Sequence, residues 1–295
     1  MLVFLFRSEE RLRKKLRLLA VVLLLVSSLV CCADSKGAFI TTSDGVKIHY
    51  LDSGKGRPIV FIPGWMMPAD IWQPQIDALS AKYRVIAIDP RSQGDSEKAA
   101  DGNYAERRAQ DYKELVDQLK LQKPVLVGWS MAVDEVLSYI QQFGTDNVGG
   151  VVLVDGFIRI DSAMAAQFPI YIRKHAVDRK AAAVAFVKSM YAKPQSQAYL
   201  DKVTAAALKT PTNSAMALMM AQLGALDMSP TLALLSHTPT IYAYEPQLQG
   251  QADLIKQKRP SAKLERFDDA GHALFVDDAE RFNKMIIEMM ETPSQ

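Results

Sequence analysis

Cysteine is almost missing from this chain of 295 residues, which has only Cys31 and Cys32, both close to the N-terminus. The rest of the chain therefore cannot form a disulfide, and its stability has to come from an ordinary apolar core. Cysteine nucleophiles and thiolate metal sites are excluded there as well. With 49% hydrophobic and 23% charged residues, the composition is that of a globular protein able to build such a core.

A large excess of charge is also missing, because the formal net charge is only +2. The first 33 residues contain six basic and two acidic side chains, so they contribute +4 and the remaining chain carries −2. Nucleic-acid-binding surfaces are typically strongly basic. We therefore expect no nucleic-acid partner.

The apolar run at residues 18–30 is short for a membrane span. It follows a basic head and ends at Cys31-Cys32-Ala33, a pattern typical of an export signal. We predict that residues 1–33 direct export to the periplasm or the extracellular space. A retained N-terminal anchor, or lipid attachment at Cys32, would instead tether the protein to a membrane.

Beyond this segment, short apolar strands alternate with helical patterns, which predicts an α/β fold with a mostly parallel, twisted sheet and helices on both faces. The alternation stops at residues 156–235, which show only helical patterns rich in alanine and methionine. We predict a helical cap there, inserted between the sixth and seventh strands of a core formed by residues 34–155 and 236–295. Such an insertion would lie over the carboxyl ends of the strands, where ligands bind in these sheets. The predicted strands are residues 38–42, 46–51, 58–62, 83–88, 124–127, 151–155, 239–244 and 262–267.

The central motif is Gly128-Trp129-Ser130-Met131-Ala132, which separates an apolar strand from a helical pattern. A tight turn between strand and helix exposes a serine hydroxyl at the helix N-terminus. Gly128 and Ala132 have to be small because the two backbones pass close to each other there. Ser130 is thus a candidate nucleophile, although a serine in such a place also serves as a helix cap.

A serine nucleophile needs a base, and four histidines are available. His49 lies in a predicted hairpin, His175 in the helical insertion, and His237 before a strand, at its wrong end. His272 follows the last predicted strand directly, at the same sheet edge as Ser130. We predict His272 as the base.

In these motifs the chain resembles α/β-hydrolase-fold proteins, in the branch of serine esterases and cofactor-free haloperoxidases. The resemblance runs from about residue 38 to 291 and implies Ser130 as nucleophile, His272 as base, and the backbone amides of Trp65 and Met131 as an oxyanion hole. It implies no cofactor. The matching segments, in chain order, are residues 63–65, 89–96, 128–132, 151–155 and 270–272.

The acid of the triad is less clear, because residues 247–249, where the family usually places an aspartate, contain none. Asp155 ends the sixth strand at the sheet edge that carries Ser130, and some family members draw their acid from this position. Glu245 directly follows the seventh strand. Asp155 is the first choice and Glu245 the second, while Asp155 also suits a structural cap for the chain entering the insertion.

Met66 and Trp129, with Trp65, flank the predicted site and indicate an apolar substrate pocket. The sequence therefore predicts a carboxylesterase-like hydrolase that cleaves a small-molecule acyl substrate through an acyl-enzyme. Peroxide, amide and carbon–carbon chemistry are not separated from ester cleavage at this stage. The alternative is a non-catalytic protein of the same fold that binds a ligand or partner. We expect no metal, because Asp268 and Asp269 beside His272 have no partner at ligand spacing.

Overall fold

A computed structural model describes residues 36–224 and 227–291. The predicted export signal at residues 1–33 lies outside them, so export and membrane tethering stay predictions. Among the described residues, no helix combines the length and the apolar character needed to cross a membrane.

The described chain forms one eight-stranded sheet in the order β1-β2-β4-β3-β5-β6-β7-β8. β1 pairs with β2 and β2 pairs with β4 in antiparallel fashion, and the other neighbours are parallel. The predicted mostly parallel sheet is therefore confirmed. The strands are β1 (Lys36–Thr41), β2 (Lys47–Ser53), β3 (Pro58–Ile62), β4 (Arg84–Ile88), β5 (Val125–Trp129), β6 (Gly150–Val154), β7 (Thr240–Tyr244) and β8 (Lys263–Arg266).

The described residues form eleven α-helices. Those that connect one strand to the next cover both faces of the sheet. They are α1 (Gln73–Leu79), α2 (Ala105–Gln118), α3 (Ala132–Phe143), α4 (Ser162–Ala165), α5 (Phe168–Val177), α6 (Arg179–Ser189), α7 (Gln197–Leu208), α8 (Thr212–Gln222), α9 (Gln249–Lys258), α10 (Leu274–Asp277) and α11 (Ala279–Glu291). Short 3₁₀ helices lie at Ala69–Trp72, Ser229–Leu235 and Pro246–Leu248.

Two apolar clusters hold these helices on the sheet, one on each face. Successive residues of a strand point to opposite faces, so Phe61 of β3 joins the cluster that includes α1 and α11, whereas Val60 joins the cluster with α2, α3 and α9. β3, β5, β6 and β7 are buried along their whole length. This burial on both faces is why their sequences are continuously apolar instead of alternating.

The chain between β6 and β7 forms α4 to α8 and the 3₁₀ helix Ser229–Leu235, and its described residues contain no named strand. This segment is joined to the loop after β3 through Trp65. The Trp65 indole N–H donates to the carbonyl of Ala215 in α8 at 2.8 Å. Its ring packs edge-on against His175 of α5 and Phe186 of α6. The exact domain limits predicted for a cap stay a prediction.

The turn between β5 and α3 is as tight as its sequence predicts. A Cβ atom on Gly128 would lie 2.5 Å from the carbonyl oxygen of Ala132 and 2.8 Å from Cγ2 of Val136. The helix backbone therefore passes too close to β5 for any side chain at this position. Ser130 itself has a φ of 59°, a left-handed conformation that is strained for a residue with a side chain.

We expect Gly128→Ala to destabilise the fold by about 1–3 kcal/mol, because the added methyl forces β5 and α3 apart. The control is Gly250→Ala at the exposed start of α9, where an added Cβ meets nothing within 4 Å. This control should be neutral or stabilising by up to about 0.5 kcal/mol, since alanine favours a helix over glycine. Chemical denaturation of both variants measures the difference, and equal effects would contradict the close approach.

Candidate active site

Three side chains meet at the carboxyl edge of the sheet. Ser130 follows β5, Asp155 follows β6, and His272 lies in the loop after β8. His272 Nε2 is 2.9 Å from Ser130 Oγ, and its Nδ1 is 2.7 Å from Asp155 Oδ2. An ionised carboxylate only accepts hydrogen bonds. Nδ1 of His272 therefore carries the ring proton and donates a hydrogen bond to Asp155. Nε2 of the neutral ring then accepts from the Ser130 hydroxyl.

Ser130 and Asp155 reach the edge by the same local geometry. The Ser130 N–H donates to the carbonyl of Val154 at 2.8 Å, and the Asp155 N–H donates to that of Ala243 at 2.8 Å. Each residue therefore extends the parallel ladder by one position and then turns sharply. Asp155 has a φ of 46°, also in the left-handed region. Strain of this kind persists only where the surrounding structure enforces it, and it is concentrated at functional sites.

The His272 loop is held by contacts from three sides. The Trp129 indole N–H donates to the carbonyl of His272 at 2.8 Å, and the Gly271 N–H donates to Asp277 Oδ2 at 2.9 Å. A Cβ on Gly271 would lie 2.7 Å from the nitrogen of Ala192. The imidazole is thus fixed in place while 26% of its side chain stays exposed, so a ligand can reach it.

Asp155 is completely buried, and a second donor fixes its carboxylate. Oδ1 accepts a hydrogen bond from the backbone N–H of Glu245 at 2.7 Å, while Oδ2 faces His272. Both oxygens therefore have partners, as a buried carboxylate requires. Of the two acids that the sequence offered, Asp155 is the one at hydrogen-bonding distance from His272.

The Glu245 side chain is half-buried and lies next to this pair. One of its carboxylate oxygens is within 4.8 Å of ligand-type atoms of both Asp155 and His272. Burial raises the pKa of Glu245, and the nearby Asp155 charge raises it further, while His272 acts in the opposite direction. No ion pair of Glu245 occurs within the described residues.

These three groups are also potential metal ligands, as are His49, Asp89 and Asp95 elsewhere. In each set the histidine Nδ1 is 2.7 Å from a carboxylate oxygen, which is a direct hydrogen bond. A zinc ion needs about 2.0–2.2 Å to each ligand and would have to push these partners apart. In both sets this hydrogen bond already occupies the histidine Nδ1 and one carboxylate oxygen.

The backbone amides of Trp65 and Met131 belong to the loop after β3 and to the turn after β5. Within the residues that the structure describes, neither N–H donates a hydrogen bond. A Cβ on Gly64 would lie 2.8 Å from Ser130 Cβ, so the loop after β3 passes directly against the serine.

Gln93 shapes the loop after β3, a role that no sequence pattern predicts. Its Nε2 donates to the carbonyls of Gly64 and Met67 at 3.0 and 2.9 Å, and its Oε1 accepts from the Met66 N–H at 3.1 Å. Buried Arg108 bonds both Gln93 and Glu135 of α3. The loop and the helix that follows Ser130 are therefore connected through a single guanidinium.

Arg91, Asp95 and Ser96 lie in the loop after β4 and make their side-chain contacts away from the serine turn. Arg91 pairs with Asp111 at 2.6 Å, and Asp95 pairs with Lys209 at 2.7 Å. Ser96 donates to the carbonyl of Asp89 at 2.6 Å and so closes its own loop.

A cavity of about 370 Å³ opens beside Ser130 and His272. Most of its apolar side chains come from the chain between β6 and β7, and the others from the loop after β3, the turn after β5 and the segment after β7. The cavity is lined by Trp65, Ser130, Met131, Asp155, Gly156, Phe157, Met164, Gln167, Phe168, Tyr171, Phe186, Met219, Gln222, Glu245, Gln247, Leu248 and His272.

Met66 and Trp129, which we predicted to line the pocket, are not part of this lining. Met66 is 1% exposed in the core. Trp129 ends β5 with its ring on the α1 and α11 face, against Trp72 and Phe275, instead of facing the cavity. Their places are taken by aromatic residues of the helical segment, whose orientation the sequence could not reveal.

A family model described as the alpha/beta hydrolase family matches residues 59–285. The chain belongs to the alpha/beta hydrolase family. The match covers every residue of the predicted triad.

Among relatives of this alpha/beta hydrolase is a non-heme chloroperoxidase, CPO-A1, of Kitasatospora aureofaciens. It is 42% identical over 115 residues, which are 39% of this chain and 42% of that protein. The chain thus aligns with about two fifths of the length of the relatives of this kind. An alpha/beta hydrolase superfamily protein of Bacillus subtilis, YisY, is 26% identical over 274 residues, covering 85% of this chain and 97% of YisY.

Two solved structures share the fold. An esterase from Exiguobacterium antarcticum has a TM-score of 0.81 at 24% identity, covering 87% of this chain and all of the esterase, 100%. A bromoperoxidase from Bacillus anthracis has the same TM-score of 0.81, also at 24% identity and with coverage of 87% and 100%. At this identity the likeness shows the fold alone.

In this alpha/beta hydrolase, Asp134 in the first turn of α3 is an unusual buried acid. It is 5% exposed, and its Oδ1 has no hydrogen-bond partner among the described residues. Burial, with smaller contributions from Glu135 and Glu106, raises the pKa of Asp134 from its usual 3.8 to about 7. The folded state therefore binds the proton of Asp134 more tightly than the unfolded state does. The contribution of this group to the free energy of unfolding is fully present below about pH 4 and is lost as the pH rises to about 7.

We expect Asp134→Asn to raise the free energy of unfolding by about 2 kcal/mol at pH 8, because it removes a buried charge. At pH 4 the gain should be close to zero. Urea denaturation at the two pH values measures this difference. The matched control is Asp253→Asn on the exposed face of α9, which should change stability little at either pH. A gain for Asp134→Asn that is the same at both pH values would contradict the raised pKa.

Proposed function

We propose that this protein is a serine hydrolase that cleaves an ester-like bond of a small-molecule substrate through an acyl-enzyme. Ser130 is the nucleophile, His272 the general base, and Asp155 the acid that orients His272. One observation carries the proposal, namely the continuous hydrogen-bond chain from Ser130 Oγ through the imidazole to Asp155, with distances of 2.9 and 2.7 Å. Nucleophile, base and orienting acid in this arrangement are what acyl transfer requires.

In the first half of the reaction, Ser130 Oγ attacks the substrate carbonyl while His272 Nε2 takes the hydroxyl proton. Asp155 keeps the ring in the required tautomer and stabilises the imidazolium that forms. The free N–H groups of Trp65 and Met131 are the proposed donors to the oxyanion. His272 then returns the proton to the leaving alcohol, and the acyl group stays on Ser130.

In the second half, His272 takes a proton from water, and the resulting hydroxide attacks the acyl-serine. A second tetrahedral oxyanion forms at the same amides and collapses when His272 gives the proton back to Ser130 Oγ. The free acid leaves, and the serine, imidazole and carboxylate return to their starting protonation states.

The cavity supports a small or medium-sized acyl or aromatic ester as substrate. Its volume of about 370 Å³ and its aromatic lining, including Phe157, Phe168 and Tyr171, suit an apolar group placed against Ser130.

A non-catalytic protein of this fold would need neither the tautomer nor the position of His272 to be fixed. The absence of an aspartate at residues 247–249, after β7, favours that alternative. The contact between Asp155 and His272 supports the catalytic proposal instead, because it supplies an acid from the neighbouring strand.

Ser130→Ala should abolish labelling by a fluorophosphonate probe and lower kcat for a short p-nitrophenyl ester by a factor on the order of 10⁵ to 10⁶, since no other group can form the acyl-enzyme. The matched control is Ser261→Ala, at an exposed turn before β8. It should keep both labelling and turnover. If Ser130→Ala still reacts with the probe, the proposed nucleophile is wrong.

Asp155→Asn should lower kcat by on the order of 10⁴ with little change in KM, because the asparagine favours the wrong tautomer of His272. Steady-state kinetics on the same ester measure this loss. Asp253→Asn, which removes a negative charge outside the cavity, is the control and should keep wild-type kinetics. A loss of this size in Glu245→Gln, with Asp155→Asn remaining active, would transfer the orienting role to Glu245.

A further inference from the structure

Glu245 is a carboxylate in an apolar cavity that has no cation to balance it. The cavity lining includes Glu245 and Asp155 but no lysine or arginine. Asp52, which is also half-buried, is paired instead with Arg84 at 2.7 Å. The backbone N–H of Glu245 already serves Asp155, so its side chain is the part of the residue left to act on a ligand.

The walls around this carboxylate are aromatic. Trp65, Tyr171 and Phe186 pack against one another, with ring centroids 5.4 to 6.1 Å apart, and all three line the cavity. Phe157 and Phe168 add two further aromatic side chains to the lining. Aromatic faces attract cations, and aromatic cages are a common means of binding quaternary ammonium groups. Aromatic rings and an unpaired carboxylate in one cavity therefore favour the same kind of ligand.

The position of Glu245 relates this ligand to the reaction centre. One of its carboxylate oxygens lies within 4.8 Å of a ring nitrogen of His272 and of a carboxylate oxygen of Asp155. A cation held there would be a short linker away from an ester carbonyl at Ser130. It would also favour the ionised form of Glu245, whose pKa is raised mainly by burial and further by the Asp155 charge. An anionic group would meet two negative charges and no positive one.

We propose that Glu245 makes this cavity selective for esters that carry a cationic nitrogen close to the ester bond, and against esters that carry an anion there. The inference rests on the proposed ester hydrolysis but goes beyond it, since the triad acts on a carbonyl whatever charge the rest of the substrate has. Glu245 is thus a specificity residue in contact with the substrate. An effect of Glu245 exerted only through His272 would change all esters equally.

The test compares two esters of one shape, benzoylcholine and 3,3-dimethylbutyl benzoate, which differ in the charge of the quaternary atom. We expect wild-type kcat/KM to favour the cationic ester by about tenfold or more. In Glu245→Gln this preference should fall to near one. Asp253→Asn, which removes a charge outside the cavity, should keep the wild-type preference.

Binding of both esters to Ser130→Ala, measured by calorimetry, tests the selectivity without turnover. The proposal is supported if Ser130→Ala binds benzoylcholine more tightly than the neutral ester and if adding Glu245→Gln removes this difference. This holds even if wild type hydrolyses neither ester, and in that case only the proposed function fails. Equal binding of the two esters, or an equal loss for both in Glu245→Gln, overturns the selectivity. Hydrolysis of the neutral ester in those cases leaves the proposed function standing.

Discussion

The parallel ladder of β5, β6 and β7 decides where the chemistry of this molecule is placed. Trp129 of β5 stands beside Val154 of β6, which stands beside Ala243 of β7. The next residues, Ser130 and Asp155, therefore emerge side by side at one edge of the sheet. Their amides continue the ladder by one more hydrogen bond each, so a shift of register in any of these strands would separate them. The sheet hydrogen bonds thus position the reactive groups as well as the strands.

Both residues adopt left-handed backbone conformations, and close packing enforces them. Added Cβ atoms at Gly64 and Gly128 would collide with the turn around Ser130, and one at Gly156 would lie 2.4 Å from the Ser130 carbonyl oxygen. Buried Arg108 adds a polar connection between the loop after β3 and α3 through Gln93 and Glu135. The serine hydroxyl is therefore held ready before any ligand arrives, which is the condition for efficient acyl transfer.

The sequence predicted those features that depend on local residue patterns. The eight strands, the turn at Ser130 and the position of His272 after the last strand followed from apolar runs and small residues. The network through Gln93 could not be predicted, because it joins residues from four separate segments of the chain. The prediction of Met66 and Trp129 as lining residues was wrong for a related reason. Trp129 stands next to Ser130 in sequence, but alternation along β5 turns it to the other side, and the aromatic residues that replace it come from helices whose packing no periodicity reveals.

In the proposed mechanism the acid, Asp155, directly follows β6. The loop after β7 therefore does not have to supply the residue that orients His272. The usual arrangement makes that loop hold the imidazole, which restricts its residues and its conformation. Here the Glu245 backbone supports Asp155, while its side chain and those of Gln247 and Leu248 face the cavity. The side chains of Gln247 and Leu248 can therefore change while the backbone N–H of Glu245 continues to hold Asp155, so a short segment can alter substrate preference.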